Sequence, residues 1–377
     1  MTPPTPEGHK LGFVREIQAL RGIVVLLTFF AHAPGVFTHL QPLMVIHFWT
    51  GVDLFLVISG FVIAKSFFPQ ILLRTERVYQ FKVAVAFWIR RAYRLLPASV
   101  FWAFFLLFCA TFFNKSGIFA TPYDVLKEIF AFLLYSKNIA SIYGVNYSLG
   151  PYWSLSLEEQ FYLVLPFALI FLPFIFKPKF YLPVVLGIAL FPQFLSPHYH
   201  LFRFESFMVG IFIYQLHQTS LHPLLTPAFM RKAYKRWIIT VWMLVTMLLA
   251  PTLMGYFPGH KLFILLPASF LVFFASFNQG FLPTDNPMGK VAAWIGDRSY
   301  SVYICHMPAL LLVYELAHRY LGIDFKNAGL IHSVAAVSIA FVLTLVFASL
   351  SYWLLEKPWQ TKGKQVAVQY LQRMEAV

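Results

Sequence analysis

The residues able to do chemistry stand where a lipid bilayer tolerates them least. Arg21 and His32 lie eleven residues apart in one apolar stretch. Eleven steps of about 100° return to within about 20° of the starting direction, so on a helix the two side chains share a face, about 16 Å apart along the axis. A second apolar stretch carries Gly51-Val52-Asp53, and a later one opens Trp153-Ser154-Leu155-Ser156-Leu157-Glu158-Glu159. Arg90, Arg91 and Arg94 crowd the start of a third, and His306 stands within Ser299 to Pro308. A charge at the bilayer centre costs a few kcal/mol or more, so each of these residues needs a reason. Histidine with a carboxylate suits proton abstraction from a hydroxyl, and histidine also suits a transient acyl-histidine. Arg91 and Arg94, three apart on one helix face, suit forked hydrogen bonds to the phosphates of a donor such as coenzyme A.

Each residue also has a plainer role. Arg21 can be a snorkelling anchor and His32 an interhelical hydrogen bonder. Asp53 can pair with a neighbouring helix, and three close arginines can be a topology signal alone. Glu158 and Glu159 point about 100° apart, so at most one faces a given centre, and one can cap its helix start.

The elements that must hold these groups follow from composition. Of 377 residues, 59% are hydrophobic, 19% aromatic and only 12% charged, and mean hydropathy is +0.69. That excludes a disordered chain, a disulfide scaffold and a cytosolic enzyme, and leaves an all-α polytopic transmembrane bundle. Only Cys109 and Cys305 are present, both in apolar runs, so neither a disulfide framework nor a Cys-based zinc site is expected, and no metal. The net charge of +14 sits in short segments between apolar runs, which reads as membrane topology and not as nucleic-acid binding.

Ten spans are expected, at 17–37, 45–64, 95–113, 154–176, 180–195, 203–216, 237–256, 261–277, 295–316 and 328–355. The short 180–195 and 203–216 runs suit a broken or re-entrant pair. With the N-terminus inside, twenty-two of the 29 Lys and Arg fall on the inner side. This asymmetry puts both termini in the cytoplasm. The chain then divides into a cytoplasmic segment 1–16, a membrane domain 17–356 and a cytoplasmic tail 357–377. The longest outer segment, 114–153, is rich in Tyr, Asn and Ser and is expected to be a loose loop.

No H-E-x-x-H, Walker loop or G-x-S-x-G is present, so metalloprotease, ATPase and ordinary serine-hydrolase readings lack support. The motifs do resemble one family, the acyltransferase family 3 membrane proteins. Arg-x10-His matches Arg21 and His32, and GVDLFLVISGF, Gly51 to Phe61, resembles the second-helix motif. Arg-x-x-Arg matches Arg91 and Arg94, and WSLSLEEQFY, Trp153 to Tyr162, is similar to the double-glutamate signature. RFESFMVG (Arg203 to Gly210) and SYSVYICHMP (Ser299 to Pro308) also resemble family segments.

The resemblance implies an O-acyltransferase that moves acetyl from cytoplasmic acetyl-CoA to a hydroxyl at the outer face of the bacterial inner membrane. The acceptor would be a carbohydrate, on an exopolysaccharide, a lipopolysaccharide or a lipid-linked sugar. Polysaccharide-biosynthesis proteins or a second copy of the chain would be its protein partners. The expected roles are His32 as base or acyl acceptor, with Glu158 or Asp53 orienting it, and Arg21, Arg90, Arg91 and Arg94 on the donor. Tyr152, Trp153, Glu159 and His306 are expected near the acceptor. The competing expectation is a proton-coupled transporter or flippase using His32, Asp53 and Glu158 as a relay.

Overall fold

The computed structural model describes residues 14–33, 45–177, 181, 184–185, 202–254, 260–324 and 328–375. Among these the regular structure is entirely helical. The helices are α1 Arg15–Ala31, α2 Gly51–Ile71, α3 Arg77–Phe112, α4 Pro122–Leu133, α5 Lys137–Ile142, α6 Tyr152–Phe171 and α7 Phe204–His217. They continue with α8 Ala233–Met254, α9 His260–Ser276, α10 Pro287–Asp297, α11 Ser299–Leu321, α12 Leu330–Ser351 and α13 Lys357–Glu375.

Six described helical segments are long and apolar enough to cross a membrane: 48–71, α3, α6, α8, α11 and 330–374. This is fewer than the ten spans expected. Helices α1 and α9 have 17 residues each and α7 has 14, while about 20 are needed to cross the hydrocarbon core. The expected 180–195 span lies almost wholly outside the described residues.

Glycine sets two helix crossings. A Cβ on Gly22 would stand 1.9 Å from the Ala292 carbonyl oxygen, and one on Gly296 would stand 1.8 Å from that of Gln18. Helices α1 and α10 therefore touch backbone to backbone beside Arg21. Gly60 and Gly210 do the same for α2 and α7, each with a virtual Cβ 2.1 Å from a carbonyl oxygen of the other helix. Small residues are the usual means of such approach in lipid, where helices gain from packing and not from hydrophobic burial.

One expectation is corrected. The 114–153 segment is not loose. Buried Glu128 pairs with buried Lys137 at 3.1 Å and accepts backbone N–H bonds from Tyr147 at 2.7 Å and Leu149 at 2.9 Å. Burial still holds the Lys137 ammonium below the usual lysine pKa, with Glu128 opposing that shift. Glu315 of α11 clamps the start of the segment through the backbone N–H groups of Lys115 (2.7 Å) and Ser116 (3.0 Å).

Residues 357–375 of the expected cytoplasmic tail form a helix. Through the π-turn Tyr352–Glu356, α12 runs on into α13, which packs antiparallel on the first half of α3. Trp102 donates to Ser351 at 3.2 Å, Tyr93 meets Trp359 at 5.8 Å between ring centroids, and Lys82 donates to the Met374 carbonyl. The expected span 95–113 is only the second half of α3, because helical pairing does not stop where the apolar run begins.

Candidate active site

Five helices turn one face each toward a common line of cavities. On α1 these faces are Arg21, then Val24, Val25 and Thr28, with His32 capping the helix. On α2 they are Val52, Phe55 and Ser59, and on α6 Ser154, Glu158 and Tyr162. Helix α11 adds Ser299, Tyr300 and Tyr303, with His306 a turn further, and α3 adds Arg91, Arg94 and Leu95. These spacings of three, four and seven mark single helix faces. Helices α1 and α11 run from the arginine end to the histidine end, while α2 and α6 run back.

The line has three chambers. The mouth, about 560 Å³, is lined by Arg90, Arg91, Arg94 and Lys364 with no acid among its lining residues. It shares Arg91 and Arg94 with a vestibule of about 450 Å³ that adds Arg21 and Glu158. A smaller chamber of about 270 Å³ follows, lined mostly by apolar groups with Thr28, Ser154, Ser299 and Tyr303 as its polar ones. Beyond it stand two imidazoles, His32 and His306, with ring centroids 5.1 Å apart.

Main-chain carbonyls fix both rings. His32 Nδ1 lies 2.9 Å from the Thr28 carbonyl oxygen, and His306 Nδ1 bonds the Tyr303 carbonyl. A carbonyl only accepts, so each Nδ1 carries the hydrogen, and in the neutral ring each Nε2 keeps a lone pair. Among the described residues the buried His306 Nε2 has no hydrogen-bond partner. Each ring is thus set to offer a base at Nε2.

The carboxylates lie elsewhere. The expected orienting partners of His32, Glu158 and Asp53, are both engaged by other groups, and the Thr28 carbonyl does the orienting. Glu158 accepts from Ser59 at 2.6 Å and from the Tyr162 hydroxyl, facing the arginines of the vestibule. Asp53 is buried, bound by Arg203 at 2.5 Å and by Ser206 at 3.2 Å. That is the neighbouring-helix pairing left open by the sequence.

The arginines keep to the basic end. Arg90 donates to Gln70 at 3.1 Å and reaches only the mouth. Arg91 lies over the Tyr162 ring at 4.9 Å, which holds its guanidinium between mouth and vestibule. Arg21 donates to Gln18 at 3.3 Å.

The residues expected near the acceptor are dispersed. Tyr152 is only 1% exposed, edge-on to Phe132 and bonded to the Ser99 carbonyl, so it has no open face for a sugar. Trp153 stacks under the Arg203 guanidinium at 5.5 Å. Glu159 is buried and lines none of the three chambers.

Sequence reasoning missed several lining groups: Ser59, Tyr162, Tyr300, Gln360 and Lys364. It also missed Glu356, a buried carboxylate that accepts from Ser301 at 2.7 Å. The signal for Glu356 was present, since it is a lone acid in Tyr352-Trp353-Leu354-Leu355-Glu356. Among the described residues no three His, Cys, Asp or Glu side chains gather as metal ligands.

The sequence model of the acyltransferase family 3, described as an acyltransferase domain, matches residues 14–353. The chain belongs to this family. Acyltransferase family 3 membership makes the helical bundle a multi-pass membrane acyltransferase domain. Within the family, the chain is 25% identical over 341 residues to the peptidoglycan O-acetyltransferase OatA of Listeria monocytogenes serovar 1/2a, covering 83% of this chain and 51% of the relative. It is 25% identical over 340 residues to the putative peptidoglycan O-acetyltransferase YrhL of Bacillus subtilis strain 168, covering 83% and 50%. It is 26% identical over 339 residues to the O-acetyltransferase OatA of Staphylococcus aureus strain NCTC 8325, covering 83% and 53%. The chain therefore spans about half the length of the curated relatives it matches. No solved structure matches it.

Proposed function

We propose that the protein is an O-acetyltransferase of the bacterial cytoplasmic membrane, taking acetyl from acetyl-CoA inside and delivering it to a carbohydrate hydroxyl outside. The observation that carries this reading is the alignment, along the same helix faces, of a mouth of four cations, the Arg21–Glu158 vestibule and, a turn beyond the last chamber, the His32–His306 pair. The relatives' names supply the acceptor class, a glycan such as peptidoglycan. The Lys and Arg asymmetry favours both termini and the basic mouth on the cytoplasmic side.

Arg90, Arg91, Arg94 and Lys364 hold the phosphates of coenzyme A by charge-assisted hydrogen bonds. Arg21 and the Glu158 cluster flank the slim arm that carries the thioester inward. His32 Nε2 removes the proton of the acceptor hydroxyl as its oxygen attacks the thioester carbonyl. A C–O bond forms, the C–S bond breaks, and the sulfur leaves as thiolate to be reprotonated by the imidazolium. His306, on its fixed ring beside His32, keeps a second base within reach of that proton.

The test is turnover of labelled acetyl-CoA by purified protein with a glycan acceptor. Arg91→Ala with Arg94→Ala should raise the apparent KM for acetyl-CoA, at a cost of roughly 1.5–3 kcal/mol for each lost charged hydrogen bond. An unchanged KM at normal protein level reduces the pair to topology signals. A protein that moves a solute without consuming thioester is a transporter, and the acyltransferase reading falls.

A further inference from the structure

One residue, Phe55, lines both the vestibule and the terminal chamber. Across from it Tyr303 presents a parallel ring, with an interplanar angle of 11° and centroids 6.4 Å apart. Neither ring is fully buried, although both lie within the bundle and pack against the main core. We propose that Phe55 and Tyr303 form a gate between the arginine vestibule and the histidine pair, and that this gate restricts the enzyme to short acyl donors. The inference rests on the acetyl-CoA reading above.

The two leaves of the gate are held differently. The Tyr303 hydroxyl donates to the Pro151 carbonyl at 2.5 Å and meets Ser154 Oγ at 2.6 Å. Its own carbonyl is the one that fixes His306, and its ring lies 5.6 Å from the His306 ring. Tyr303 is therefore the fixed leaf, tied at one end to α6 and at the other to the histidine pair. Phe55 has no polar tether and can swing by rotamer change alone. Val52 and Ser59 on the same α2 face mark the two sides it separates, chamber and vestibule.

The apolar wall beyond the gate sets the selectivity. The chamber behind Phe55 is walled by Val24, Val25 and Val52. An acyl group longer than acetyl must carry each extra methylene past the two rings ahead of the thioester. Each methylene misfit in an apolar pocket changes discrimination by about 10–200-fold. The closed rings also keep water from the thioester. With them removed, water attacks the thioester carbonyl, the C–S bond breaks, and acetate and the coenzyme A thiol are released without an acceptor.

Three proteins decide it: wild type, Phe55→Ala and Tyr303→Phe, each purified and offered acetyl-CoA and hexanoyl-CoA. Donor use is measured by competition, and donor binding separately by the thermal stabilisation each thioester gives without acceptor. Wild type should use and be stabilised by acetyl-CoA in preference. Phe55→Ala should shift the hexanoyl-to-acetyl ratio by about tenfold or more and consume acetyl-CoA without acceptor. Tyr303→Phe, which keeps the ring but frees the fixed leaf from Pro151 and Ser154, should shift the ratio in the same direction as Phe55→Ala. If Phe55→Ala does not fold, Phe55→Leu, which keeps apolar filling but removes the flat ring, should shift the ratio in the same direction. Unchanged preference in a folded Phe55 variant overturns the gate while leaving acetyl transfer intact. A wild type that neither binds nor consumes acetyl-CoA overturns the donor reading instead.

Discussion

At the scale of residues, reactive types were readable and their partners were not. Arg21, His32, Arg91, Arg94 and Glu158 declare themselves by standing in or beside apolar runs, where a polar group costs several kcal/mol unless it is used. Their partners come from distant positions. Arg203 reaches Asp53 across 150 residues and Ser59 reaches Glu158 across 99, and no local spacing announces either bond. The pairing expected between His32 and a carboxylate failed for that reason. The ring is held by Thr28, four residues back on its own helix. On the proposed mechanism, His32 then works as a base with no paired carboxylate among the described residues. His32→Gln keeps hydrogen bonding but has no comparable base. Its turnover of acetyl-CoA should fall by about 10²–10⁴-fold, with thermal stabilisation by acetyl-CoA retained. Near-normal turnover in His32→Gln would move the chemistry to His306.

At the scale of elements, apolar runs located the helices but not their ends. Periodicity of hydropathy reports the lipid-facing part of a helix, whereas backbone pairing continues into polar sequence. Helix α3 therefore extends eighteen residues before the expected span, about 27 Å. Helix α13, polar enough to read as a tail, is held by contact with α3. Gly363 is one of those contacts, since a Cβ there would lie 2.4 Å from the Tyr93 Cβ. Gln360 and Lys364, on either side of it, line the mouth with Arg90, Arg91 and Arg94. Gly363→Val should force α13 from α3 at a cost of about 1–3 kcal/mol, the usual range for overpacking. Thermal unfolding in detergent should show that loss, together with a weaker KM for acetyl-CoA. Full stability in Gly363→Val would mean that α13 docks only loosely and adds nothing to the mouth.

At the scale of the molecule, the bundle has two chemically distinct ends, and contacts fix which segment lies at which. Trp49, Trp153 and Arg203 gather at one end, where α2, α6 and α7 begin. His47 joins Thr252 there at 2.8 Å, which brings the close of α8 to the same end. The start of α8 is consequently at the far end, where Arg236 donates to the Gly280 carbonyl at 2.9 Å and Glu16 accepts from the backbone N–H of Gly280 at 2.8 Å. The far end is also that of Arg90, Arg91 and Arg94. The 114–153 segment belongs with the tryptophans, through Lys137 and Ser156 of α6. Two probes at opposite ends follow: Tyr143, 81% exposed, and Ala233, exposed at the start of α8. The native Cys109 and Cys305 are both buried, so they give little background to a thiol reagent. In intact cells an impermeant maleimide should label Tyr143→Cys and leave Ala233→Cys unlabelled until the membrane is opened. The reverse pattern would turn the basic mouth outward and separate it from the cytoplasmic pool of acetyl-CoA. Labelling of both from outside would break the two-ended bundle itself.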